Sequence, residues 1–102
     1  MHRALTKDEY AEIENLANAC INAYSQNRVQ NELRRLKFLS NYLPIEPYAS
    51  IKLGEVHSWC LEVSKRTSNI KHESAVSSVR NALGVLRRFV AKDELSSSRG
   101  VL

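Results

Sequence analysis

Apolar residues recur at steps of three and four along most of the chain, and the recurrence defines four helices. The clearest run is Asn69 to Glu94. Val76, Val79, Leu83, Leu86 and Val90 share one face there, with no proline to interrupt them. Gly84 is the only glycine in that run and costs about 1 kcal/mol against alanine. A first helix is expected over 6–25, with a stripe of Tyr10, Ile13, Ala17, Cys20 and Tyr24. Thr6 and Glu9 have the spacing of a capping box, and Leu5 and Tyr10 that of a hydrophobic staple. The phase breaks at Asn27 and Arg28, so Ser25-Gln26-Asn27 is a turn or a kink. A new stripe of Val29, Leu33, Leu36, Leu39 and Leu43 makes helix two, which Pro44 ends.

Pro44-Ile45-Glu46-Pro47 reads as a stiff connector. Helix three is expected over 51–65, capped by Ser50, with Leu53, Val56, Cys60 and Val63 on its apolar face. Glu62 and Arg66 have the spacing of a helical ion pair. Ser68 or Asn69 caps the last helix. Four helices with short connections predict an all-α fold, a compact four-helix bundle in a single domain over 1–95, followed by a tail at 96–102. The expected core is Ile13, Ala17, Cys20, Leu33, Leu36, Leu43, Val56, Cys60, Val76, Val79, Leu83 and Leu86. Trp59 and Tyr48 are expected to pack in the core or under a loop. Phe38 and Tyr42, beside the helix-two stripe, either widen the core face or form an exposed apolar patch, and the same holds for Val85 and Phe89 on the last helix.

Composition is that of an ordinary globular chain of 102 residues, with 43% hydrophobic and 25% charged residues. The net charge of +4 is unevenly spread. Residues 1–27 carry two Lys/Arg against four acids, whereas residues 28–92 carry twelve against five, a net of +7. That excess either keeps the protein soluble or suits an acidic partner such as nucleic acid. Cys20 and Cys60 fall at small apolar positions and read as buried free thiols. With His2, His57 and His72 they form no zinc spacing, and no cofactor is expected. No apolar run reaches the roughly 18 residues of a membrane span, and Met1 to Ala17 is too polar for a signal peptide. The expectation is a cytoplasmic protein without membrane contact.

No glycine-rich phosphate loop, nucleophile elbow or metalloprotease motif is present, so a catalytic role is not expected. Two polar stripes are the candidate binding residues. On helix two, Gln30, Arg34, Lys37 and Asn41 fall on one face away from the leucines. On the last helix, Ser77, Asn81, Gly84 and Arg88 repeat that spacing, flanked by Arg80 and Lys92. Arg and Lys reach phosphates or guanine, and Asn and Gln pair with adenine. Gln30, Arg34, Lys37, Asn41, Arg80, Asn81 and Arg88 are therefore candidate nucleic-acid contacts, with Arg34, Lys37, Arg80 and Arg88 expected on one shared basic surface. The plainer reading is a solvated helix face. The competing function is a protein-binding module: a small inhibitor, an immunity protein, an assembly subunit or a homo-oligomer.

From Gln30 onward, the runs Glu32-Leu-Arg-Arg-Leu-Lys-Phe-Leu39 and Ser78-Val-Arg-Asn-Ala-Leu-Gly-Val-Leu-Arg-Arg-Phe89 resemble the N-terminal, SAM-like core-binding domain of tyrosine recombinases of the phage-integrase type. That resemblance implies a helical DNA-clamping module in which Arg34, Lys37, Arg80, Arg87 and Arg88 face the duplex. The family usually has a threonine near the start of its second and last helices, where Val29 and Ala75-Val76 stand here, and its catalytic residues lie in a second domain. Separately, the spacing of Arg66 and His72 resembles the Arg…His pair of HEPN ribonucleases. Thr67 stands where that family has Asn, Asp or His.

Overall fold

The computed structural model describes residues 2–92. It is an all-α four-helix bundle: α1 (Lys7–Asn22), a 3-10 turn (Gln26–Val29), α2 (Gln30–Tyr42), α3 (Pro47–Ser64) and α4 (Asn69–Arg87). The tail expected at 96–102 lies outside the described residues. The capping box forms as its spacing predicts. Thr6 Oγ1 accepts from the Glu9 backbone N–H at 3.0 Å, and Glu9 Oε1 accepts from the Thr6 N–H at 2.9 Å. Arg3 clasps the same carboxylate with two bonds, of 2.7 and 2.6 Å, and holds its pKa below the ordinary glutamate value.

Three boundaries differ from the pattern. α1 stops at Asn22, three residues early, and Tyr24 is exposed rather than part of the stripe. Ala23 to Ser25 leave helical geometry, so α1 and α2 are separate helices. α3 begins at Pro47, not 51, because a proline at the first helical position gives up an N–H that would have no partner there. Its cap is Glu46, whose side chain accepts from the Tyr48 N–H, while Ser50 donates to the Ser40 carbonyl instead. α4 ends at Arg87 although the apolar period runs on to Val90.

The extended segment before α1 explains that last difference. The Leu5 N–H donates to the Phe89 carbonyl at 3.0 Å, and the Ala91 N–H donates to the Leu5 carbonyl at 2.8 Å. Arg3 pairs in the same way with the α2–α3 connector, through Pro44 and Glu46. The Arg88, Phe89 and Val90 N–H groups bond carbonyls three residues back, and beyond that tightened turn the chain pairs with the N-terminal segment. Leu5 is fully buried between these partners.

α3 is the central helix, packed most extensively on α4 and α2 and also on α1. α1 packs on α2 and α4, which leaves α2 and α4 at opposite corners. Ten of the twelve expected core residues are buried. Leu43 and Val76 are only partly covered, Leu43 because it sits at the cap of α2 and Val76 because it lies at the edge of the α4 face. Leu5, Val29, Leu39, Ile45, Ala49, Leu53, Val63, Ala75 and Ala82 complete the core. Trp59 and Tyr48 are not core residues, being 38% and 49% exposed; Tyr48 lies against Phe89 with ring centroids 5.7 Å apart.

Candidate nucleic-acid interface

α2 turns its leucines inward, which carries the residues between them to the surface. Gln30, Arg34, Lys37 and Asn41 are all exposed. They form one wall of a groove whose other wall is α3. In one section of about 320 Å³, Gln26, Gln30, Arg34 and Lys37 face His57 and Leu61 over Leu33. In the adjoining section of about 690 Å³, Lys37 and Asn41 face Ile51, Gly54, His57 and Ser58. Lys37 and His57 belong to both sections, so the two are continuous.

The first section is lined by no carboxylate. The second contains Glu55, which is paired with Lys52 at 3.2 Å. Carboxylates neutralise other cations as well: Arg3 by Glu9, Arg35 by Glu12 and Lys65 by Glu62. Among the described residues, Arg28, Arg34 and Lys37 have no such partner, and neither do Arg66, Lys71, Arg80, Arg87, Arg88 and Lys92. Burial, and then the nearby Lys37 ammonium, push the His57 imidazole below its ordinary pKa.

The folded state therefore prefers neutral His57, and the sign of its pH effect follows. The unfolded chain takes up this proton near pH 6.5, the folded chain only at lower pH. The contribution is fully present above about pH 6.5 and is lost as the pH falls through that value towards the folded pKa. His57→Gln should flatten the loss of stability in chemical denaturation between about pH 7.5 and pH 5.5. An unchanged slope would mean that the ring is freely solvated.

Gly54 lies in the middle of α3 on the groove wall, and a Cβ placed there would meet nothing within 4 Å. Gly84 on α4 is equally open. Neither glycine is required by packing. Gly54→Ala and Gly84→Ala should each stabilise the fold by about 0.5–1 kcal/mol, read from denaturant midpoints. A loss of stability from either would contradict the open geometry.

The α4 residues are also exposed, but on another side. Asn81 shares the outward face of α4 with Ser77, Gly84 and Arg88, and Arg80 and Arg87 flank it. The cations at the end of α4 face α1 and the N-terminal segment. Arg87, Arg88 and Lys92 line a cavity with Lys7, Tyr10 and Glu14, and Arg88 lines a second with Arg3 and Glu46. Because α2 and α4 occupy opposite corners, the two stripes do not meet as neighbouring helix faces.

Arg66 and His72 do come together. Arg66 Nη1 lies 3.0 Å from His72 Nε2, and Nη2 donates to the Ile21 carbonyl at 2.9 Å, in the last turn of α1. The guanidinium thus caps the α1 C-terminus and ties it to α3 and α4. To reach it, Arg66 adopts a φ of 52°, the left-handed region that disfavours a side chain. This departure also removes the expected Glu62–Arg66 pair, and Glu62 bonds Lys65 at 3.0 Å instead. Arg66 Nε and His72 Nδ1 are buried and have no hydrogen-bond partner. The geometry is that of a strut.

Cys20 and Cys60 are buried free thiols on α1 and α3. Their mutual hydrogen bond, and then burial, raise the Cys60 pKa far above the usual thiol range, which keeps this thiol unreactive. No cluster of three or more metal-ligating side chains occurs among the described residues, and no described helix is long and apolar enough to cross a membrane. No family model matches the chain, and neither a curated protein nor a solved structure matches it.

Proposed function

We propose that the protein is a non-catalytic module that binds nucleic acid through the outer face of α2 and the α2–α3 groove. The observation that carries this reading is the unneutralised charge of that groove. Arg34 and Lys37 stand exposed beside Gln30 and Asn41, with no internal carboxylate, in a section lined by no acid. A polyanion supplies the missing counter-charge, and the amides supply hydrogen bonds to bases or sugars. The α4 end is the weaker candidate, since Glu14 and Glu46 share its cavities. The resemblance to a DNA-clamping domain points to the same α2 residues. It includes α4 as well, which the positions of the two helices do not favour as one surface.

Fluorescence anisotropy with labelled oligonucleotides at about 50 mM salt separates these surfaces. Arg34→Glu with Lys37→Glu should weaken binding roughly ten-fold or more, since each change removes a phosphate contact and adds repulsion. Arg87→Glu with Arg88→Glu should leave affinity within about three-fold. Absence of binding by the parent protein would overturn the reading. So would loss of binding only in the α4 variant.

A further inference from the structure

We infer that the nucleic acid held on α2 is single-stranded, with bases stacked on an aromatic column formed by Phe38 and Tyr42. The inference rests on the nucleic-acid reading above and specifies its substrate.

The column is built along the helix at steps of three and four. Arg35 places its guanidinium carbon 5.5 Å from the centre of the Phe38 ring. The Phe38 and Tyr42 rings follow, 4.9 Å apart and tilted by 40°. Arg35 is fixed in turn by Glu12 of α1, through bonds of 2.8 and 3.4 Å. One end of the column is therefore anchored in the bundle, and the other ends at Tyr42. Phe38 is 50% exposed and Tyr42 is 69% exposed, so ring surface remains open. A fixed aromatic platform costs little ordering when a base lands on it.

The rings lie beside the unpaired cations. Phe38 follows Lys37 and Tyr42 follows Asn41 in sequence, so the row of Arg34, Lys37 and Asn41 and the row of aromatic rings run side by side along α2. A strand whose phosphates follow Arg34 and Lys37 has its bases within reach of the rings. Stacking needs a free base face. In a duplex those faces are covered by neighbouring pairs, and the grooves present only base edges. A surface that pairs open aromatic rings with uncompensated Arg and Lys matches single strands, which present charge and π faces together. A protein partner would engage the rings, but it has no general need for the cationic groove section beside them, which no acid lines.

The test compares three ligands of equal length: oligothymidylate, the same backbone carrying abasic sites, and a duplex. The abasic strand keeps the phosphates and removes the stacking partners. Oligothymidylate should bind the parent protein roughly ten-fold or more tightly than the abasic strand, and more tightly than the duplex. Tyr42→Leu, apolar but without a π face, should narrow the difference between the first two ligands several-fold, Phe38 remaining as the second platform. Tyr42→Phe should preserve it. Tyr42 is largely exposed, so both variants should melt with the parent protein, and this is checked by circular dichroism. Equal affinity for the base-bearing and abasic strands, preference for the duplex, or full affinity in Tyr42→Leu would overturn the single-strand inference. If Arg34→Glu with Lys37→Glu still abolishes binding, the nucleic-acid reading survives that failure. If none of the three ligands binds, both readings fall, and the aromatic column is better assigned to a protein partner.

Discussion

Replacing Leu53 with alanine is expected to destabilise the bundle by about 2–5 kcal/mol, a large share of what a domain of this size possesses. Leu53 is fully buried on α3, the helix that packs on the other three. Its loss opens a cavity that no single helix can move to fill without leaving its other neighbours. The midpoint of urea denaturation should fall at nearly constant slope, since the surface exposed on unfolding is little changed. At about 4–8 °C per kcal/mol, the melting temperature should drop by roughly 10 °C or more. A change below about 0.5 kcal/mol would mean that α3 is not central.

The second large effect is expected at Arg66, a loop residue where most substitutions would be harmless. Arg66→Ala removes the donor to the Ile21 carbonyl and the partner of His72, both part-buried. Bonds from charged groups contribute about 1.5–3 kcal/mol, so a loss of about 2 kcal/mol or more is expected. Alanine also keeps the cost of the left-handed backbone, about 1–2 kcal/mol. Arg66→Gly loses the same bonds but relieves that strain, so it should be more stable than Arg66→Ala by about 1 kcal/mol. Arg66→Lys keeps the charge without the planar fork and should recover little. Equal stability of the alanine and glycine variants would show that the backbone is not strained there.

These two positions mark what the sequence makes legible. Leu53 belongs to a stripe of period 3.6, and periodicity reports burial wherever a regular helix faces a core. Leu5 and Ile45 are as buried as the best helical positions, but they lie in extended segments that show no period. The end of α4 is hidden for a related reason. Val90 keeps helical phase with Leu86, while the backbone leaves the helix to bond Leu5, a partner more than eighty residues away in sequence. Arg66 is similar, since its bond to Ile21 spans 45 residues and nothing local announces a left-handed arginine.

The candidate site divides along the same line. The exposed wall of α2 follows from the leucine spacing alone, and all eight candidate residues are at the surface. The opposite wall, with His57, Gly54 and Leu61, depends on which face of α3 meets α2, and spacing within one helix does not encode that. Nor does spacing show that α2 and α4 sit at opposite corners, which is why matched stripes on the two helices suggested one surface. Phe38 and Tyr42 flank the stripe closely enough to fit either a widened core or an open patch. Phe38 lies on the open side, 50% exposed, beside an Arg35 that Glu12 holds.

The salt dependence of oligonucleotide binding tests the central claim most directly. Arg28, Arg34 and Lys37 are the unpaired cations of the α2 region, and three phosphate contacts predict a slope of log association constant against log salt of about −2 to −3. Arg34→Glu with Lys37→Glu leaves Arg28 alone and should reduce that slope to about −1 or shallower at unchanged thermal stability. A parent protein that does not bind, or one whose affinity is insensitive to salt, would contradict the account.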